Sequence, residues 1–269
     1  MEPLTASQAL EEGLAPEVRA FYHRVLATLR DSGVPFLVGG AYAYGRYTGL
    51  VRHTKDLDVM VRPGDCADAL AALAAAGYRT ELTFHHWLGK AFDGDALVDV
   101  IFSSGNGACP VDDEWFANAV EAEIFDVPVR LCPPEEMIWQ KAYIMERERC
   151  DLSDVAHLLR SHGGGLDWAR LLRRFGPHWR VLLSALILFG FIYPAERDLV
   201  PGWVMADLLD RARRESDTPA PADRVCRGTL LSLRQYLPDV ERFGDRDARL
   251  AEGHMTPRDL AAWTAAFEE

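Results

Sequence analysis

Apolar positions recur at helical spacing from about Glu17 to Ser32, until Gly33 and Pro35 interrupt them ahead of the short run Phe36-Leu37-Val38. Gly39-Gly40 closes that run, and Ala41–Gly49 (AYAYGRYTG) predicts a short helix. Leu57–Val61 alternates around a charge, as a strand does. Ala67–Ala76 is alanine-rich and stops at Gly77, the residue type expected just past a helix C-terminus. Trp87–Phe92 and Ala96–Phe102 predict two strands, and Asp93-Gly94-Asp95 between them is a strong hairpin signal. Val127–Leu131 predicts one more short strand.

The pattern changes at Pro133-Pro134. Helical periods follow over Glu135–Arg149, Asp151–Ser161, Asp167–Phe189 (broken near Pro177), Trp203–Arg214 and Val225–Leu237. Glu215–Asp223 (ESDTPAPAD) predicts a loop, and Thr256-Pro257 a capped start for a last helix. The first half reads as alternating strands and helices and the second as all helix, an α+β chain overall. The expected divisions are an N-terminal extension over 1–16, an α/β domain over 17–134 and a helical domain over 135–269.

Composition narrows the function classes. With 49% hydrophobic and 26% charged residues the chain is ordinary globular protein. It has 29 Lys+Arg against 41 Asp+Glu, a net charge of −12, whereas a wide nucleic-acid grip calls for a basic face. One local exception runs from Lys141 to Arg180, where one Lys and seven Arg face five acids. The five cysteines are scattered, with no CxxC pair or Cys/His ligand spacing, which argues against a zinc site or a disulfide framework. Val181–Tyr193 is an apolar run of 13 residues, short of the roughly 20 that cross a bilayer, and predicts a buried helix. The N-terminus lacks the basic and apolar regions of a signal peptide, so a soluble cytoplasmic protein with no membrane partner is expected.

The chemistry concentrates in Val38-Gly39-Gly40 and Thr54-Lys55-Asp56-Leu57-Asp58-Val59. Alternate side chains of a strand share a face, so Asp56 and Asp58 point the same way. Paired carboxylates repel unless a cation lies between them, and hard oxygen ligands suit Mg²⁺ bound together with substrate phosphates. Gly39-Gly40, between a strand and a helix start, lets backbone N–H groups approach a phosphate with no Cβ in the way. Asp99 stands in the apolar strand Leu97–Phe102, where a charge is costly unless it is paired or bound to metal. If that strand lies beside Asp56 and Asp58, three carboxylates converge as two-metal phosphoryl or nucleotidyl transfer requires.

A Gly-Gly turn, an Asp-x-Asp strand and a later Asp together resemble the nucleotidyltransferase superfamily of DNA polymerase β. The segment from Pro134-Glu135 through Ile138 and Lys141 to Arg147, Arg149, Asp151 and Asp154 resembles one stretch of minimal bacterial nucleotidyltransferases, the AbiEii-like and MenT-like group that includes toxins of toxin–antitoxin pairs. The resemblance covers about Val34 to Leu159. It implies a polymerase-β-like fold, Mg²⁺ or Mn²⁺ as cofactor, and an NTP such as ATP as substrate. It also implies a hydroxyl acceptor (tRNA, a protein side chain or a small molecule) and an antitoxin partner protein. Position by position, Asp56, Asp58 and Asp99 would be catalytic and hold the metal, Gly39 and Gly40 would line the triphosphate, and Lys141 would meet phosphate or base. Gly40 stands where many relatives carry Ser, and Thr54 is the hydroxyl that could replace it. The alternative from another class is a catalytically silent protein of the same fold that binds nucleotide or a partner.

Several residues have plainer readings. Asp151 fits a helix N-cap with Asp154 in its first turn. Lys141, Arg147 and Arg149 fit a solvated face bridged to Glu146 and Glu148. His85-His86 fit a turn, Lys55 the face opposite both carboxylates, and Trp139, Trp168, Trp179 and Trp203 a helical core.

Overall fold

The computed structural model describes residues 13–51 and 54–266, so most of the expected N-terminal extension lies outside the described residues. Contacts divide the chain into two units, one running to Pro133 and resuming at Arg258, the other spanning Pro134–Pro257. The C-terminal helix Pro257–Ala265 thus packs with the first unit, where Trp263 meets Phe84 and Trp87 edge-on.

The first unit opens with α1 (Pro16–Ser32). Proline at its first turn and Gly33 at φ +76° beyond its end set the limits. Its buried face is Phe21, Tyr22, Val25, Leu26 and Leu29, a stripe at helical period. Next come β1 (Leu37–Val38), α2 (Gly40–Thr48), β2 (Asp56–Met60) and α3 (Cys66–Ala75). Three strands follow, β3 (Arg79–Phe84), β4 (Leu88–Asp93) and β5 (Ala96–Ile101), then α4 (Asp113–Ala117), β6 (Val120–Ile124) and β7 (Val127–Leu131). Among the described residues these form one seven-stranded mixed sheet in the order β3-β4-β5-β2-β1-β7-β6. Strand β2 runs parallel to β5 and antiparallel to β1. Leu37, Val38, Leu57, Val59, Val98 and Val100 are fully buried along these central strands. Each such side chain contributes about 1.5–3 kcal/mol.

The β4–β5 and β6–β7 hairpins rest on left-handed turns. Gly94, at φ +59°, turns β4 into β5 as the Asp-Gly signal predicts. The β6–β7 turn uses Phe125 and Asp126 at φ +52° and +59°, strained for residues other than glycine. Phe125 is fully buried against Tyr22 and Tyr42, with ring centres 5.4 and 5.0 Å away, and that packing holds the turn. Strands β3 and β6 carry no sequence signal because they are the sheet's edges. Their side chains are mostly solvent-facing, so the apolar alternation that marks a strand is missing.

The second unit is built mainly of helices: α5 (Pro134–Lys141), α6 (Leu152–His162), α7 (Trp168–Phe175), α8 (Trp179–Ile192), α9 (Gly202–Ser216), α10 (Leu237–Glu241) and α11 (Ala248–Ala251). Trp168–Ile192 together is 25 residues long and contains an 18-residue window of mean hydropathy 1.5, enough by length and composition to cross a membrane. It is broken by the turn Gly176–His178, and buried Arg170 meets Glu135 at 2.5 Å.

Three expectations are corrected here. The helix expected over Glu135–Arg149 stops at Lys141, because Met145 N–H bonds to Leu231 O and Asp151 N–H to Ile144 O, giving the backbone other partners. Val225–Leu237 is not a helix. It holds a two-residue strand (Val225–Cys226) and a short 3-10 turn, with Thr229 tied to Asp247 and Ser232 to Glu146. Trp139, Trp168 and Trp179 are core residues as expected, whereas Trp203, in the first turn of α9, is 54% exposed.

Candidate active site

Strand period and pairing bring the three aspartates together. Asp56 and Asp58 lie on the same face of β2, and Asp58 pairs across the parallel ladder with Asp99 on β5. One carboxylate oxygen from each lies within 4.8 Å of the others. Asp56 and Asp58 are half-buried and Asp99 is buried. Burial pushes the Asp99 carboxyl above its ordinary range, and the charge of Asp56 adds to this. Lys90 opposes the shift: its Nζ donates to Asp99 Oδ1 at 2.9 Å from the directly opposite position on β4.

Lys90 was missed by the sequence reading although a signal was present. A two-residue turn at Gly94-Asp95 fixes the hairpin register and sets Lys90 opposite Asp99.

Gly39 and Gly40 sit against the same carboxylates. Gly39 N–H donates to Asp58 O at 3.0 Å, and its carbonyl accepts from Ala43 N–H at 3.1 Å as α2 begins. Gly40 has φ +54°, and a Cβ there would lie 1.7 Å from Asp58 Oδ2. The position excludes a serine for steric reasons, so the missing hydroxyl is the consequence of a close approach between helix start and carboxylate. Thr54 touches Asp56: its hydroxyl donates to the Asp56 carboxylate and lies 3.2 Å from the Asp56 carbonyl oxygen. The Tyr22 hydroxyl donates to Lys55 O at 3.3 Å. Burial, then the negative charges of Asp56, Asp58 and Asp99, raise its pKa, which keeps the phenol neutral.

Lys55 is exposed, and His85-His86 occupy the β3–β4 turn, where His86 Nε2 lies 3.1 Å from Gly105 O. Lys141, at the end of α5 in the second unit, donates to Asp151 at 2.9 Å and to Asp154 at 2.7 Å. Arg149 also grips Asp151 with two nitrogens at 3.1 Å. Asp151 therefore occupies the N-cap position of α6 without capping it, because its carboxylate serves Lys141 and Arg149.

This disposition has a match among known families. The model of a family described as uncharacterised nucleotidyltransferase matches residues 13–183. The chain belongs to this nucleotidyltransferase family. The match spans the sheet, all three aspartates and the first helices of the second unit. No curated protein matches the chain. Among solved structures, it is similar to the antibiotic-resistance factor ANT(2'')-Ia, at 20% identity and a TM-score of 0.36 over 74% of this chain and 95% of that one. It is also similar to the lincosamide antibiotic adenylyltransferase LnuA, at 14% identity and a TM-score of 0.38 over 54% and 96% of the two chains. A nucleotidyltransferase-like protein from Paracoccidioides brasiliensis gives 14% and 0.36 over 64% and 92%. The donor set itself fits a divalent ion: three carboxylates, one of them buried, with hard oxygens on one face.

Proposed function

We propose that the protein transfers NMP from an Mg²⁺-bound NTP to a hydroxyl acceptor and releases pyrophosphate. The observation that carries this reading is the convergence of Asp56, Asp58 and Asp99 across the parallel β2–β5 pair, beside the glycine start of α2. Asp56, Asp58 and Asp99 would hold Mg²⁺, which when bound neutralises charge on the phosphates. Gly39 and Gly40 would line the triphosphate with backbone N–H groups at the helix N-terminus. Thr54 holds Asp56 in orientation. Asp99 would take the proton of the acceptor hydroxyl as that oxygen bonds to the α-phosphorus. The bond from the α-phosphorus to the bridging oxygen then breaks, and pyrophosphate leaves with its electrons.

The reading places the protein in the cytoplasm, where NTP is supplied. The AbiEii-like and MenT-like placement rests on the Pro134–Asp154 segment, and with it stand tRNA as acceptor, an antitoxin as partner and Lys141 as nucleotide contact.

The test is transfer of label from NTPs radiolabelled at the α-phosphate, with Mg²⁺, into separate tRNA, protein and small-molecule pools. Asp56→Ala/Asp58→Ala protein is the control. Label in one pool that disappears in the control names the nucleotide and the acceptor class together. A rise in Tm with Mg²⁺ plus NTP, without label in any pool, would favour the nucleotide-binding alternative. Neither label nor shift would overturn the catalytic reading.

A further inference from the structure

A second group of ligand-type side chains lies within the second unit and plays no part in the proposed transfer. His178 sits in the turn between α7 and α8, while Glu252 and His254 follow α11. One ligand atom from each lies within 4.8 Å of the others. His178 Nε2 is 2.7 Å from Glu252 Oε2, and His254 Nε2 is 3.4 Å from the same oxygen. His178 is buried, and His254 Nε2 is a buried nitrogen that, beyond this contact with Glu252, has no hydrogen-bond partner among the described residues.

We propose that His178, Glu252 and His254 form a binding site for a divalent transition-metal ion, Zn²⁺ above all. Two imidazoles and one carboxylate are a zinc donor set, with a fourth position left for water. Zinc–ligand bonds of about 2.0–2.2 Å at tetrahedral angles put donor atoms roughly 3.3 Å apart. The His254–Glu252 separation of 3.4 Å already meets that, and the 2.7 Å His178–Glu252 contact needs to open by a fraction of an ångström.

The surrounding groups are arranged as metal-site supports are. Tyr143 Oη lies 2.8 Å from His178 Nδ1, so Nδ1–H can donate to the phenol oxygen and leave Nε2 with its lone pair toward the ion. Arg227 Nε donates to Glu252 Oε1 at 2.6 Å, which fixes the carboxylate and leaves Oε2 as the inward ligand. Burial, and then the neighbouring His178, push the His254 imidazole below its usual pKa, which favours the neutral ring that a metal needs. Since His178 and Glu252 are 74 positions apart, a bound ion would clip the start of α8 to the chain beyond α11.

The test uses the full-length chain stripped with a chelator, with Asp56→Asn/Asp58→Asn in place to silence the aspartate cluster. Zn²⁺ is titrated by calorimetry, and Co²⁺ is followed by its visible d–d bands. One equivalent of Zn²⁺ is expected, with a raised Tm and a four-coordinate Co²⁺ spectrum. His254→Ala in the same background should abolish the binding and the spectrum while leaving the metal-free Tm close to the parent's. His254→Gln, which keeps the bulk, serves if the alanine variant folds poorly. No Zn²⁺ binding in the Asp56→Asn/Asp58→Asn protein would overturn the proposal. Binding of unchanged affinity in the His254 variants would overturn it as well.

Discussion

Gly40 and Asp58 approach so closely that a single Cβ at position 40 would stand 1.7 Å from Asp58 Oδ2. The glycine also holds φ at +54°, where any L side chain adds about 1–2 kcal/mol of strain. The first turn of α2 and the Asp58 carboxylate are therefore positioned as one piece.

Gly40→Ser should displace Asp58 rather than supply a phosphate-binding hydroxyl. A misplacement of about 1 Å at reacting groups costs on the order of 10²-fold. We expect a loss of that size in kcat/KM for the proposed transfer, with a lower Tm. Equal or better activity in Gly40→Ser would refute the steric reading of this turn.

Lys90 holds Asp99 by an ion pair at 2.9 Å and lowers a carboxyl that burial raises. Lys90→Met removes the lowering influence, so the Asp99 pKa climbs further. The acid limb of the pH–rate profile should then move to higher pH, because a higher pH is needed to ionise the base. A limb that stays in place would show that Asp99 is not the titrating group. For stability the sign is opposite to that of an ordinary salt-bridged acid. A raised folded-state pKa contributes stability below the unfolded value near 3.8 and loses it as pH rises through the folded value.

Asp151 behaves in the ordinary way. Although burial opposes it, Arg149 and Lys141 bring its carboxyl down to about 2. Its contribution is present above the unfolded value of 3.8 and is lost as pH falls towards 2. Lys141→Met leaves this fully buried carboxylate and Asp154 without their shared amine, and breaking such a buried pair costs about 3–5 kcal/mol. Urea unfolding at neutral pH should show that loss. If stability is retained while KM for NTP rises, Lys141 is a nucleotide contact instead.

Thr54→Val removes the hydroxyl that orients Asp56 without altering the side chain's shape. We expect a fall in kcat of roughly tenfold, about 1.4 kcal/mol in the barrier, with Tm nearly unchanged. Thr54→Ser should restore most of the activity. Failure of serine to rescue would remove the hydroxyl from the account.

Much of the site follows from the local chain alone. The two-residue period of a strand puts Asp56 and Asp58 on one face, Gly39-Gly40 marks the strand-to-helix turn, and the tight Gly94 turn sets Lys90 opposite Asp99. These depend on backbone chirality and sterics over a few residues, which composition and spacing record. The pairing of Asp58 with Asp99 is of another kind. Strand β5 returns beside β2 only after α3, β3 and β4, and its parallel register is chosen by burying Val98 and Val100 beside Leu57 and Val59. Likewise the partners of Lys141 and the meeting of His178 with Glu252 and His254 depend on how helices pack across long loops. Side-chain volume and burial over the whole unit decide such contacts, and neither is written in the spacing of residues along the chain.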